Sequence, residues 1–221
     1  MNKIIFPKTC EANKIIAKDK IFKFSKANER ARKIFADDVE RIRISHELVA
    51  DKLNLPKSKS VPRILIIQIR LKTDKLSNVI LDKIEKVSNI PIIFEIISDR
   101  DTYYTAAYRR RSESDKTKWV LSNYISSDTF NAETAEGTTL PMVLAMDSLY
   151  EQLLRSIMPI RKFTELTLNQ GFAKHAKVER LEKDALRLEK KVHNKNLQFN
   201  RRTEFNRELN LINKELEGLK G

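Results

Sequence analysis

Two groups of side chains in this sequence could do chemistry. The first is Tyr108-Arg109-Arg110-Arg111, with Trp119 and Tyr124 nearby. Guanidinium groups bind phosphates through paired N–H donors, and exposed rings stack on bases or on a protein partner. The second is Glu95, Asp99 and Asp101. Carboxylates that converge on one divalent cation can support phosphodiester cleavage, commonly beside a lysine. Glu95 stands in an apolar run with Phe94, Ile96 and Ile97, but Asp99 and Asp101 fall in a four-residue turn that favours aspartate for its geometry alone. No acidic-x-Lys pair follows in Tyr103-Tyr104-Thr105-Ala106-Ala107-Tyr108. The arginine cluster is the stronger lead, and a divalent-metal nuclease using the three carboxylates is the alternative.

Other chemistries find no residues to carry them. There is no phosphate-cradling glycine loop, dinucleotide glycine pattern or nucleophile elbow. His46, His175 and His193 lie far apart in the chain, and Cys10 has neither a second cysteine nor a neighbouring histidine. No metal and no cofactor is expected.

Charge points the same way as the arginines. Lysine and arginine number 43 against 30 acidic residues, a net charge of +13. Counting along the sequence, residues 1–60 carry +7, residues 61–171 carry +1 and residues 172–221 carry +5. A near-neutral middle with basic ends attracts polyanions, of which nucleic acid is the commonest in a cytosol. The longest apolar runs, such as Ile64–Ile67, are far short of the ~20 residues a membrane span needs. The expected location is the cytoplasm, with no membrane partner.

The elements that must position these residues follow from periodicity. Residues 1–24 alternate lysines with apolar residues and read as a basic extended arm, with a turn at Asn13-Lys14. Ser25 reads as an N-cap for a helix over 26–41, because Ala31, Phe35, Val39 and Ile42 recur at helical spacing. A short strand around Ile42–Ile44 follows it. Val61–Lys72 reads as a strand, and Thr73 as the cap of a helix with the stripe Leu76, Ile80, Ile84 and Val87, ending near a left-handed Asn89. Pro91–Ile97, Thr102–Arg110 and Trp119–Ile125 read as further strands, the first two forming a hairpin. Ser126–Thr139 reads as a loop, and Pro141 as the first position of a helix that ends at Pro159. The expected fold is α+β: a small mixed or antiparallel sheet with helices packed on it, over a body at 25–159. A linker over 160–171 then leads to a coiled-coil segment at 172–221.

In that segment Val178, Leu181, Ala185, Leu188 and Val192 form one heptad seam, and Phe205, Leu209, Ile212, Leu216 and Leu219 another. The two seams are out of phase across His193-Asn194-Lys195-Asn196. An antiparallel helical hairpin fits this pattern, and so does one long helix that pairs with another chain, as in a homodimer. The hairpin is favoured because it needs no partner. Arg201 and Arg202 stand among Asn196, Asn200, Asn206 and Asn210, amides that lower helix propensity and suit an interface.

Several stretches carry a family likeness. They are Pro7-Lys8, Asn13-Lys14, Lys18-Asp19-Lys20-Ile21-Phe22, Leu53-Asn54-Leu55-Pro56, Pro91-Ile92-Ile93-Phe94 and the run from Gln198 to Leu209. In order and spacing they resemble the bacterial family called domain of unknown function 4391, over nearly the whole chain. That resemblance implies a companion of DNA methyltransferases and helicases in bacterial defence loci. Combined with the charge, it gives the expected function: a non-enzymatic accessory subunit of a restriction-modification or defence assembly. Lys14, Lys18, Lys20, Arg109, Arg110 and Arg111 would contact nucleic acid, with DNA favoured. Asn200, Arg201, Arg202, Phe205, Asn206 and Leu209 would dock the larger partner. An adaptor without a nucleic-acid role is the remaining alternative.

Overall fold

A computed structural model describes residues 3–112, 115, 118–158, 166–194 and 196–220. The chain divides into two compact units, Met1–Pro159 and Ile160–Gly221.

The first unit is built on a six-stranded mixed sheet. Its strands, in spatial order, are β2 (Glu11–Ile15), β3 (Val39–Val49), β4 (Arg63–Leu71), β5 (Ile92–Ile97), β6 (Thr102–Arg111) and β7 (Trp119–Ser126). Only β4 and β5 run parallel, because α4 (Asn78–Val87) carries the chain back between them. The other neighbours are antiparallel. On one face lie α1 (Lys18–Ser25), α2 (Glu29–Asp38) and α4. Their Ile21, Phe35, Ile80, Leu81 and Ile84 are buried against Ile42, Ile67, Ile69, Phe94 and Ile96 of the sheet. Phe35 meets Phe22 edge-on at 5.3 Å between ring centroids. Truncating such a core aromatic to alanine costs about 3–5 kcal/mol.

The opposite face buries Leu48, Ile64, Ile66, Ile93 and Tyr104. Across it lies β1 (Lys3–Ile5), which pairs in parallel with β8 (Gly137–Thr139). The Ile4 N–H donates to the Tyr104 hydroxyl at 3.1 Å, tying β1 to the sheet. A short α3 (Ala50–Leu53) and the longer α5 (Met146–Ile157) complete the unit.

The α+β class and the strands β4 to β7 match the sequence reading, but several features differ. First, residues 3–24, the described part of the expected arm, are not an extended arm. They form β1, the edge strand β2 and α1, whose two turns are too short to show a period. Second, helix α2 stops at Asp38, and Val39 opens an eleven-residue strand. The pairing of β3 with β4 shifts register between Val39 and Arg41. This bulge lets Val39 and Ile42, three apart, face the same core and so imitate helical spacing. Third, the caps move. Asn28, not Ser25, caps α2 by accepting from the Ala31 N–H at 3.0 Å. Ser77, not Thr73, caps α4, and the C-cap Ser88 is extended, with no left-handed Asn89. Part of the 126–139 loop is strand β8, and the helix after Pro141 begins five residues later, at Met146.

The second unit is an antiparallel helical pair, α6 (Leu168–Val192) and α7 (Phe199–Lys220). Thr167 and Gln170 start α6 with a reciprocal capping box, so Gly171 lies inside a helix rather than in the linker. Residues 160–165 of the expected linker lie outside the described residues. Both heptad seams close on each other, burying Val178, Ala185, Leu188, Leu209 and Leu216. Lys177 pairs with Glu215 at 2.6 Å, and the Lys191 ammonium sits 4.7 Å from the Phe205 ring centre, which fixes the antiparallel sense. The long-helix alternative fails at Val192. There the Asn194 side chain accepts the Asn196 N–H at 3.0 Å, a local bond that competes with the helix and turns the chain without glycine or proline.

Candidate nucleic-acid interface

The arginine cluster of β6 is divided by a bulge. Between Ala107 and Arg109 the pairing with β7 slips, and Arg109 turns towards the helical face of the sheet. Its Nη2 donates to the Glu85 carboxylate at 2.7 Å and to the Glu85 carbonyl at 3.1 Å. The two side chains are only 5% and 1% exposed. The Tyr150 hydroxyl of α5 closes the bulge, accepting the Arg109 N–H at 3.1 Å and donating to the Ala107 carbonyl at 3.1 Å. Burial pushes the Glu85 carboxyl up to about 7, although Arg109 pulls in the opposite direction. Arg109 therefore joins α4 to the sheet and does not meet solvent phosphates. Arg111 stacks its guanidinium 4.1 Å from the Trp119 ring centre, and Arg110 donates to the Arg111 carbonyl at 3.4 Å.

Lys18 is likewise taken up by the fold. Its Nζ donates to the Phe35 and Val39 carbonyls at the end of α2, a cation placed where the helix dipole is negative. Burial, then Lys72, lowers its pKa. Lys14, on the edge strand β2, and Lys20, on α1, are exposed.

The carboxylate alternative does not assemble. Asp99 and Asp101 are exposed in the turn, where the Ser98 hydroxyl accepts the Asp101 N–H at 3.1 Å. Glu95 belongs to a different group. Across β3, β4 and β5 the Arg43 Nε donates to Gln68 at 2.6 Å, and Gln68 Nε2 donates to Glu95 at 2.9 Å. Burial raises the Glu95 pKa, opposed by the Gln68 hydrogen bond, Lys3 and Arg43. Among the described residues, no three His, Cys, Asp or Glu side chains gather as a metal site.

Of the expected partner-docking residues, Leu209 is buried in the seam and Phe205 is half-buried there beneath Lys191. They hold the hairpin together. Arg202 is half-buried, and Asn200, Arg201 and Asn206 are exposed on α7.

One arrangement of cations was not visible in the sequence. A cleft of about 620 Å³ is lined by Asn28, Arg30, Ala31 and Ile34 of α2 and its cap, and by Ser77, Val79, Asp82, Lys83 and Lys86 of α4 and its cap. The side chains of Arg30, Lys83 and Lys86 form no ion pair or hydrogen bond among the described residues. The single acid, Asp82, is held by the Tyr124 hydroxyl at 3.0 Å. Two helices some fifty residues apart supply these cations, so no local motif announces them.

Fold and cleft together define an α+β domain with a cationic cleft, joined to an antiparallel helical pair. Residues 4–216 match the family described as domain of unknown function (DUF4391), and the chain belongs to it. No curated protein and no solved structure matches the chain.

Proposed function

We propose that the protein is a non-enzymatic accessory subunit that binds nucleic acid through its α+β unit and presents its helical pair to a larger partner. The observation that supports this most is the cleft between α2 and α4, where three cations face one tied acid. Unpaired cations lining a concave surface raise the local concentration of a polyanion and exchange counterions for its phosphates. The net charge of +13 acts in the same direction over a longer range. Lys14 and Lys20, both exposed, would add contacts to the backbone. Asn200, Arg201 and Asn206 would meet the partner. The family resemblance supplies the setting, a cytoplasmic DNA-methylating or DNA-unwinding assembly of bacterial defence, and so the class of partner, a methyltransferase or helicase. No helix among the described residues is long and apolar enough to cross a membrane.

The test is a titration of labelled DNA with the purified protein at rising salt. The expected result is binding that weakens steeply as salt increases. Absence of binding at low salt would leave an adaptor without a nucleic-acid role.

A further inference from the structure

We propose that the α2–α4 cleft receives a single strand rather than a duplex, with three successive phosphates along its cationic wall and a sugar and base against its aliphatic floor. This rests on the reading of the protein as a nucleic-acid binder and adds which form of nucleic acid the cleft takes.

Several polar groups at the lining keep hydrogen-bonding capacity that the fold does not use. The Asn28 side-chain oxygen already accepts the Ala31 N–H at 3.0 Å, which leaves the amide's two N–H donors. The Ser77 hydroxyl oxygen accepts the Val79 N–H at 3.4 Å, which leaves its O–H to donate. The helix starts are thereby capped, and the site does not depend on their open N–H groups. Arg30, Lys83 and Lys86 are donors without acceptor capacity. Apart from Asp82 and one remaining lone pair each on Asn28 and Ser77, the side-chain groups offered to a ligand are donors, and three of them are charged. Such a lining suits an acceptor-rich anion such as a phosphate diester.

Ala31, Ile34 and Val79 add an apolar surface beside those donors. Inorganic phosphate would leave that surface uncovered, whereas a nucleotide unit would cover it. The volume, about 620 Å³, falls within the range of clefts that enclose a small organic molecule, about 300–1,000 Å³. A duplex keeps its bases paired and stacked inside, with its phosphates outermost. It would touch the rim through its phosphates and leave the floor empty. A single strand can turn an unstacked base onto that floor.

The experiment compares a fluorescein-labelled thymidine 12-mer with a duplex of equal length. The proteins are the wild type, the triple variant Arg30→Gln, Lys83→Gln, Lys86→Gln, and a control with the same loss of charge, Lys52→Gln, Lys57→Gln, Lys59→Gln. The expected result is tighter binding of the single strand by wild type and control. The cleft variant should lose single-strand affinity by on the order of 10²-fold at 0.1 M salt, the loss expected for three phosphate contacts. Thymidine monophosphate should compete weakly and inorganic phosphate less. Duplex binding with no preference for the single strand, unaltered in the cleft variant, would overturn this inference and leave the nucleic-acid reading standing. Competition by thymidine monophosphate at concentrations below the 12-mer's would also overturn it, in favour of a free nucleotide. If neither DNA binds any of the proteins, both readings fall.

Discussion

Helix α4 meets the rest of its unit through two unlike sides. On its inner side Glu85 is buried against Arg109 of β6, and two strongly polar groups face each other away from water. On the outer side Lys83 and Lys86 open onto the cleft with Arg30 and lack any comparable partner. Opposite sides of one helical turn thus meet cations in opposite conditions. Charge alone does not identify a phosphate ligand. Arg109 stood in the most basic run of the sequence and is an internal tie, while Lys83 and Lys86 stood in an unremarkable helix and are available.

The inner side should be the more sensitive to mutation. Arg109→Ala leaves the Glu85 carboxylate buried without its cation, at an expected cost of about 3–5 kcal/mol in urea denaturation. Replacing both partners, Glu85→Leu with Arg109→Met, should recover most of that loss, because a hydrophobic pair does not need the ion pair's solvation. A double variant as unstable as the single one would show that Arg109 contributes more than neutralisation.

Tyr150→Phe should cost about 1–3 kcal/mol, since it strands the Arg109 N–H and the Ala107 carbonyl at the β6 bulge. Lys18→Met should cost about 1 kcal/mol through the exposed carbonyls at the end of α2, while DNA binding stays at the wild-type level. Loss of binding in that variant with its stability intact would return Lys18 to the interface.

The pH response separates the two sides further. Glu85 titrates near 7 in the folded chain, above its ordinary value of 4.5, because burial disfavours the charged form. The folded state then holds its proton more tightly than the unfolded state. Glu85 therefore contributes most below about pH 4.5, and this contribution declines as pH rises towards about 7. The stability profile of Glu85→Gln should lack that decline. Identical slopes in variant and wild type between those values would mean that Glu85 keeps an ordinary affinity for protons.

Much of the fold was readable because its signals were local. The runs Ile64–Ile67 and Ile92–Phe94 are apolar on both faces, as strands covered on both sides must be. The two seams of the helical pair were complete in the sequence, and the phase break at His193 marked the turn. What could not be read depended on irregularities and on distance. The bulge at Val39 gave a strand a helix-like spacing, and the bulge at Ala107 turned Arg109 inward. Lys18 lost its surface role to carbonyls seventeen and twenty-one residues away. The cleft combines residue 30 with residues 83 and 86, and its character depends on Tyr124 holding Asp82.

The most direct measurement is the salt dependence of single-strand affinity for wild type and for the Arg30→Gln, Lys83→Gln, Lys86→Gln variant. Three phosphate contacts on a single strand should make the wild-type slope of log K against log salt steeper by about 2 than that of the variant. Equal slopes for the two proteins would show that the cleft cations touch no phosphates, and would contradict the account.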